Sequence, residues 1–513
     1  MIICILQYNK RIICKKEIRS MIGRKKEIEL LNSLCEENKS KLVVVHGRRR
    51  IGKTYLVDYM FQTHRKDCLF FKFTGSADQD SNVQRDYFLE AIYDWFKAEP
   101  TKPITKWHEA FIFLKRVLDQ EVARREHTGK VILFIDEVAW IDRHNKSGFL
   151  SAFGHFYNTY TEKNNNLLVI LCGSNASWIK NKILKDTSGP LYHRVDVEIP
   201  LYPFDLKETK EYLLKEKQFT IDDKSVVDIA MVLGGVAKYL SYLDPKLSIA
   251  ANINKLFFTL HSPLYGEYEA LFKSLFYDKA SSHKKIIDIL LTKKSGYTLL
   301  ELESLIEDTK LTALKNSIDE LSDTGFIQPI GRFNHAIKNT KYSVIDPLCI
   351  FFHKWVQPLS KNDIASRIDY FETKSLSHDY IVWQGFAFET LCIVNIHLYL
   401  KQRGLSAAVK SIGYWDYVAE DSEDKGAQID ILIEYNGNTY DIVECKYYND
   451  VFVIDKEYAQ NLQNKKEKFI AHGIKNKKYD LKTVMLTTYG TKINQYYNQI
   501  PIAKNMSIED LME

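Results

Sequence analysis

The stretch KLVVVHGRRRIGKTYLVDYM, residues 41–60, decides how the rest of the chain is read. Residues 42–45 are an apolar, mostly β-branched run of strand length. Residues 47–54 then spell G-x-x-x-x-G-K-T, ahead of the helically spaced Tyr55, Leu56, Tyr59 and Met60. The order is strand, glycine loop, helix. A triphosphate needs this order, because Gly47 and Gly52 leave the backbone free to wrap phosphates with its N–H groups and a helix N-terminus facing them. Lys53 is placed to reach the β- and γ-phosphates, and the Thr54 hydroxyl to ligate Mg²⁺. The expected ATP contacts are Gly47, Arg48, Arg49, Arg50, Ile51, Gly52, Lys53, Thr54 and Tyr55.

Downstream, residues 131–140 read VILFIDEVAW. A continuous apolar run before Asp136 and Glu137 predicts a strand buried on both faces, with the acidic pair at its C-terminal end, where open α/β sheets bind ligands. Asp136 is expected to hold Mg²⁺ through water, and Glu137 to polarise the water that attacks the γ-phosphate. Residues 167–174, LLVILCGS, predict a further buried strand that delivers Ser174 and Asn175 to the γ-phosphate. Arg194, just before strand-like residues 195–199, is a candidate to stabilise transition-state charge on a nucleotide of its own or a neighbouring subunit. Residues 67–74 predict another strand, and residues 84–98 and 107–122 predict long amphipathic helices whose aromatics belong to the core. Residues 21–203 are read as the ATPase core and residues 204–280 as a helical lid.

At 513 residues the chain exceeds one core and predicts three or four domains. Apolar content of 45% with 27% charged residues is that of an ordinary globular protein. A net charge of +5 leaves nucleic-acid binding to be argued from motifs. The eight cysteines are scattered without a C-x-x-C pair, which predicts reduced core thiols of a cytoplasmic protein and neither a zinc site nor a disulfide framework. No apolar run reaches the roughly 18 residues of a membrane span, so no membrane is expected. Residues 1–20 are too short in apolar core for a signal peptide and are expected to be an N-terminal extension, with folded sequence from Met21.

Residues 281–345 change rhythm: helices are expected at 283–291, 298–306 and 311–321, and strands at 328–330 and 342–345. Three helices and a β hairpin are the pattern of a winged helix-turn-helix whose third helix would enter a major groove. Lys310, Lys315, Arg332, Lys338 and Lys341 are candidates to meet DNA phosphates, although Asp319, Glu320 and Asp323 lie close by; the same module also serves as a spacer or docking unit. Residues 346–380 are too apolar for a free linker and predict a packed helical connector.

In the C-terminal segment, 381–513, a helix over 383–392 carries Glu389, strand-like residues 428–434 carry Asp430, and strand-like residues 439–447 carry Glu444 and Lys446. Asn436-Gly437 between the strands predicts a hairpin. Asp430 and Glu444 are then expected to project toward one Mg²⁺, with Lys446 on the same face as Glu444. Two carboxylates holding a hard cation beside a lysine suit phosphodiester hydrolysis. The competing reading is a solvated ion pair. The lysine-rich residues 465–478 read as a phosphate-facing patch or a solvated surface.

Together, Gly-Arg-Arg-Arg-Ile-Gly-Lys-Thr (47–54), Phe-Ile-Asp-Glu-Val (134–138), Cys-Gly-Ser (172–174), Pro-Leu-Tyr-x-Arg (190–194) and Gly-Gly-Val-x-x-Tyr-Leu (234–240) resemble the archaeal-type ATPase family, an AAA+/STAND-like branch of signal-transducing P-loop ATPases. The resemblance covers residues 22–280 and departs at Ala237, where the family often carries proline. In such ATPases a segment like Gly23-Arg24 lies over the adenine. The D-x13-E-x-K pattern with a preceding helical glutamate resembles the PD-(D/E)xK nuclease superfamily and carries over Glu389, Asp430, Glu444 and Lys446, with Gln428 beside them. The resemblances imply a multidomain α/β protein: a P-loop NTPase with a mostly parallel sheet and helical lid, a winged helix-turn-helix and a nuclease-like α/β domain. They imply a Mg²⁺-dependent ATPase coupled to a domain acting on DNA, compatible with a homo-oligomer. The alternative is a STAND-type nucleotide switch that gates partner binding, with a non-catalytic C-terminal scaffold.

Overall fold

The computed structural model describes residues 21–142, 147–306, 309–334, 339–366, 369–419 and 424–513. The expected extension at 1–20 and Lys338 lie outside these described residues. Five strands, β1 (Lys41–His46), β2 (Leu69–Thr74), β3 (Val131–Asp136), β4 (Leu167–Gly173) and β5 (Val197–Pro200), form one sheet in the order β2-β3-β4-β1-β5. Every pairing in it is parallel. Because side chains alternate across a strand, the apolar runs feed two cores. Val43, Ile132, Phe134 and Ile170 face the lid side. Val44, Leu133, Ile135 and Val169 meet the aromatic helices on the other face. Those helices are Ser81–Phe96, Trp107–Arg124 and Phe149–Thr161, and their Phe88, Trp107, Phe111 and Phe149 rings pack edge and tilt against one another. The first starts three residues earlier than its apolar spacing predicts, because Asp80 caps it by accepting from the Asn82 and Val83 N–H groups.

Residues 204–280 are helical, as their spacing predicts, with Asp223–Leu233, Ala237–Ser241, Ile249–Phe257 and Glu267–Phe276 as main elements. Beyond them come helices Ala280–Leu290, Leu299–Leu305 and Leu311–Asp323 and the short strands β6 (Tyr297–Thr298), β7 (Ile327–Arg332) and β8 (Lys341–Val344). β7 and β8 pair antiparallel from Ile327↔Val344 to Ile330↔Lys341. The connector is an aromatic mass in which Phe257, Phe351, Phe371, Trp355, Tyr380 and Trp383 contact one another.

The C-terminal segment adds β9 (Val409–Tyr417), β10 (Ala427–Tyr435), β11 (Thr439–Lys446), β12 (Phe452–Val453), β13 (Asp480–Thr487), β14 (Thr491–Lys492) and β15 (Ile502–Ser507). β12 and β14 make a small separate ladder. The others continue the hairpin before them into one eight-stranded sheet, β15-β13-β11-β10-β9-β7-β8-β6. The junction is the parallel pairing of β7 with β9 at Gly331↔Gly413 and Arg332↔Tyr414. The backbones approach so closely there that a Cβ on Gly413 would lie 2.4 Å from the Gly331 carbonyl oxygen. The middle and C-terminal segments therefore share a sheet, and Arg332, expected to meet DNA, is ion-paired with Asp416 of β9 at 2.5 Å.

Helix Leu299–Leu305 starts with a Thr298/Glu301 capping box, and Lys293 holds the same carboxylate at 2.9 Å. Burial alone would raise the Glu301 carboxyl, but the Thr298 N–H and the Lys293 ammonium outweigh it and bring it down to about 2. A carboxyl lowered on folding stabilises the fold above its unfolded value and stops doing so as pH falls toward the folded one. Thermal melts of Glu301→Gln should therefore lie below wild type at neutral pH and converge with it as pH falls from about 4.5 toward 2.

Candidate nucleotide site

Gly47 ends β1 at φ 148°, and a Cβ there would lie 2.1 Å from the Leu201 carbonyl oxygen; Gly52, at φ 95°, turns the loop into the helix Lys53–Asp58. Neither position accepts another residue without strain. β4 lies between β1 and β3, so its tip emerges between the phosphate loop and the acidic pair. The buried Lys53 ammonium donates to the Gly47 and Arg48 carbonyls at 3.0 and 2.8 Å and to Ser174 Oγ at 3.0 Å. Ser174 Oγ donates to Glu137 Oε1 at 2.6 Å, and its N–H to Glu137 Oε2 at 3.1 Å. Thr54 Oγ1 donates to Asp136 Oδ2 at 2.6 Å. Lys53, Thr54, Asp136, Glu137 and Ser174, the residues expected at the nucleotide, thus lie together at the ends of β1, β3 and β4. A basic loop closed by a lysine, with a hydroxyl and a carboxylate adjacent, is a donor set that fits a nucleoside triphosphate and Mg²⁺. The bound nucleotide would supply the phosphoanhydride; Lys53 would hold its terminal phosphates, Thr54 and Asp136 its cation, and Glu137 the proton of the attacking water.

The other loop residues divide. Ile51 is buried, and its carbonyl accepts from the Arg24 guanidinium at 3.2 Å; the same guanidinium donates to Tyr202 O at 2.6 Å and lies over the Phe204 ring. Gly23-Arg24 thereby clamps the base of the loop. Arg49 is half-buried, and Tyr55 is exposed on its helix. Arg48 turns away from the loop: its guanidinium is buried, ion-paired with buried Asp346 and 5.3 Å from the centroid of Phe326. Burial alone would lower the Arg48 pKa, but Asp346 outweighs it and raises it. Arg50, at φ 72°, pairs with Glu267 at 2.7 Å, and Tyr239 donates to the same carboxylate at 2.9 Å. Asn175 Nδ2 donates to the Leu275 carbonyl at 3.1 Å. Asp346, Glu267 and Tyr239 were not visible as site residues in the sequence, since nothing local marks an acid whose partner lies 298 residues away.

Arg194 is not brought to this group. It is exposed just ahead of β5, where Asp196 bonds Leu42 at the start of β1. That is the N-terminal end of the parallel strands, and the phosphate loop follows their C-terminal end, about 15–20 Å away for a strand of this length. Arg194 therefore does not reach the nucleotide of its own chain.

The C-terminal carboxylates Glu389, Asp430 and Glu444 lie on helix His378–Val394, β10 and β11. β10 and β11 pair from Tyr435↔Thr439 to Ile431↔Val443, so Asp430 and Glu444 are the next residues of the two strands beyond the last pair. The turn Asn436-Gly437-Asn438 takes positive φ at its last two residues. The hairpin is as predicted, and the carboxylates expected to share a Mg²⁺ each have a protein partner. Glu444 accepts from Lys465 at 2.6 Å and from Tyr458 at 3.1 Å, both on the helix Lys456–His472. Asp430 accepts from Gln428 at 2.6 Å, and Glu389 pairs with Lys294 at 2.5 Å. The Lys446 ammonium lies 5.1 Å from the Tyr458 ring centroid. The partners of Glu444 come from a neighbouring helix, that of Glu389 from a turn, and that of Asp430 from its own strand. Among the described residues no three His, Cys, Asp or Glu side chains gather so as to hold a metal ion.

Residues 21–243 match a family described as an ATPase domain predominantly from Archaea. An uncharacterized protein of Methanocaldococcus jannaschii is 25% identical over 421 residues, 81% of this chain and 84% of the relative. An uncharacterized ATP-binding protein of the same organism is 47% identical over 36 residues, 7% of this chain and 61% of that one. Among solved structures, the Walker-type ATPase of Pyrococcus abyssi is 17% identical with a TM-score of 0.47, covering 65% of this chain and 96% of that one. Residues 21–243 are thus similar to an ATPase domain found predominantly in Archaea, and their phosphate loop and parallel sheet have the fold of a P-loop ATPase.

Proposed function

We propose that the chain is an ATP-driven switch of the signal-transducing P-loop class. Mg²⁺-ATP binding and hydrolysis at Lys53, Thr54, Asp136 and Glu137 gate the binding of a partner, and the C-terminal domain serves as a scaffold. The observation that carries this reading is the buried Arg48–Asp346 pair, which ties the phosphate loop to the residue that caps the connector helix Pro347–Phe351. Arg50 ties the same loop to Glu267 of the lid. Farther on, Asp228 of lid helix Asp223–Leu233 accepts from Tyr447, the residue after Lys446, and from Gln384. A change at the phosphates thus has a contiguous path to the C-terminal sheet.

The three helices and hairpin of the middle segment support a winged-helix fold used as a docking unit. Helix Leu311–Asp323 faces the ATPase domain, with Asp323 paired to Lys180 at 2.7 Å, and the hairpin is spent on β9. The scattered cysteines of the sequence, without a C-x-x-C pair, suit a cytoplasmic setting. Arg194, exposed at the far end of the sheet, is assigned to a neighbouring copy. Arg194→Ala should leave nucleotide affinity unchanged and remove any rise of specific ATPase activity with protein concentration.

A second reading, a nuclease-like domain acting on DNA through Glu389, Asp430, Glu444 and Lys446, draws support from the hairpin that carries Asp430 and Glu444 just beyond its last pair, Ile431↔Val443. Incubation of single- and double-stranded DNA with Mg²⁺ or Mn²⁺, with and without ATP, separates the two. The switch predicts ATP hydrolysis without strand cleavage. Cleavage that disappears in Glu444→Ala would replace it with the nuclease.

A further inference from the structure

A cavity of about 650 Å³ lies where the middle segment, the connector and the C-terminal domain meet, and neither the nucleotide chemistry nor the switch uses it. Its wall is built by helix His378–Val394, which is apolar nearly all round. Such a helix is ordinarily buried on every side, yet here Val382 and Phe386 are 44% and 45% exposed and line the cavity. Leu290, Ile330 and Ile345 also line it. Trp383, also in the lining, is 5% exposed, and its indole N–H is buried with no acceptor. Volume and apolar lining are those of a small-molecule site with a few polar anchors.

The polar anchors lie at one end, where Glu389, Asp430 and Gln428 join the lining. The chain itself shows what this end accepts. The Lys294 ammonium sits 2.5 Å from Glu389 Oε2 and 4.5 Å from the Phe386 ring centroid. A carboxylate and an aromatic face around one ammonium are the two elements of organic-cation recognition. Lys294 is itself exposed at the end of a flexible four-carbon stem, whereas the Glu389 side chain is 17% exposed. The lining lysines at the mouth are less able to select an anion: Lys354 is exposed, and Lys293 is already paired with Glu301. Exposed charges are screened by salt far more than a half-buried carboxylate.

We propose that this cavity binds an amphipathic organic cation, with an aromatic or aliphatic body against Val382, Trp383 and Phe386 and an ammonium head that displaces Lys294 from Glu389. Binding is a property of the nucleotide-free chain, so the proposal stands apart from the switch reading.

The test uses the full chain and three probes of one shape: tryptamine, 3-methylindole and indole-3-acetate, titrated by calorimetry without nucleotide. Tryptamine should bind at least tenfold more tightly than 3-methylindole, and indole-3-acetate more weakly than either. Glu389→Gln should remove the tryptamine advantage and leave 3-methylindole unchanged. Lys294→Met, which vacates the seat, should tighten tryptamine severalfold, and Val382→Trp should abolish binding of all three. Equal affinity for the three probes, preference for the acetate, or no binding to wild type and Lys294→Met alike would overturn the proposal. Repeating the titration with ATP present reports separately on coupling to the switch, since a loss of coupling with binding intact bears only on the switch.

Discussion

Glu137→Gln is expected to lower ATP turnover by about 10²–10⁴-fold while ATP still binds, because an amide keeps the shape of the side chain but cannot take a proton from water. The geometry isolates this one function. Glu137 stands at the end of β3 in a left-handed conformation, φ 49° and ψ 46°, which a non-glycine residue holds only when its surroundings impose it. Ser174 contacts both carboxylate oxygens and is linked through its hydroxyl to Lys53. Glu137 is therefore aimed by the tip of β4, and the binding groups Lys53, Thr54 and Asp136 remain in place when its charge is removed. Phosphate release in the steady state, paired with fluorescent-nucleotide titration, reads the two properties apart. Turnover at the wild-type rate would move the general base elsewhere.

The second large effect is expected far from the phosphates. Asp346→Ala should destabilise the fold by about 3–5 kcal/mol, the range for removing one partner of a buried ion pair. Arg48 is 4% exposed, and its Nε and Nη2 already lack partners, so loss of Asp346 leaves the buried guanidinium without its ion-pair partner. The substitution also removes a helix cap, because Asp346 Oδ1 accepts from the Cys349 N–H at 2.9 Å; that adds about 1 kcal/mol. Asp346→Asn, which keeps the cap but not the charge, should fall between Asp346→Ala and wild type. Arg48→Met combined with Asp346→Leu should recover most of the loss, since an apolar pair of similar volume replaces a buried ion pair at little cost. Equilibrium denaturation of the four proteins checks the order.

The nucleotide site was legible in the sequence because its parts are local. Gly47, Gly52, Lys53 and Thr54 sit within eight residues, and Asp136, Glu137 and Ser174 each end a continuous apolar run that can only be a buried strand. The clasp around the site was not legible. Arg48 reads as one more basic residue of a phosphate loop until Asp346 arrives beside it from 298 residues away. Arg194 shows the same limit, since its motif gives a position in the chain but the strand direction decides which end of the sheet it occupies. In the C-terminal domain, Asn436-Gly437 between two apolar strands announced the hairpin. The head-group partners were out of reach, because Lys465 and Tyr458 come from a helix and Lys294 from a turn in another segment. The pairing of β7 with β9 rests on two residue pairs about one glycine contact, too short for any periodicity to announce.

The central claim is that the state of the phosphates is felt at Asp346 and beyond. Hydrogen–deuterium exchange of residues 326–356 tests it most directly, in nucleotide-free, ADP-bound and ATP-bound protein, with Glu137→Gln holding the ATP state. The account predicts different protection in the ADP and ATP states of this segment, and no nucleotide response in Lys53→Ala. Identical exchange in all three states, with nucleotide bound at saturation, would contradict it.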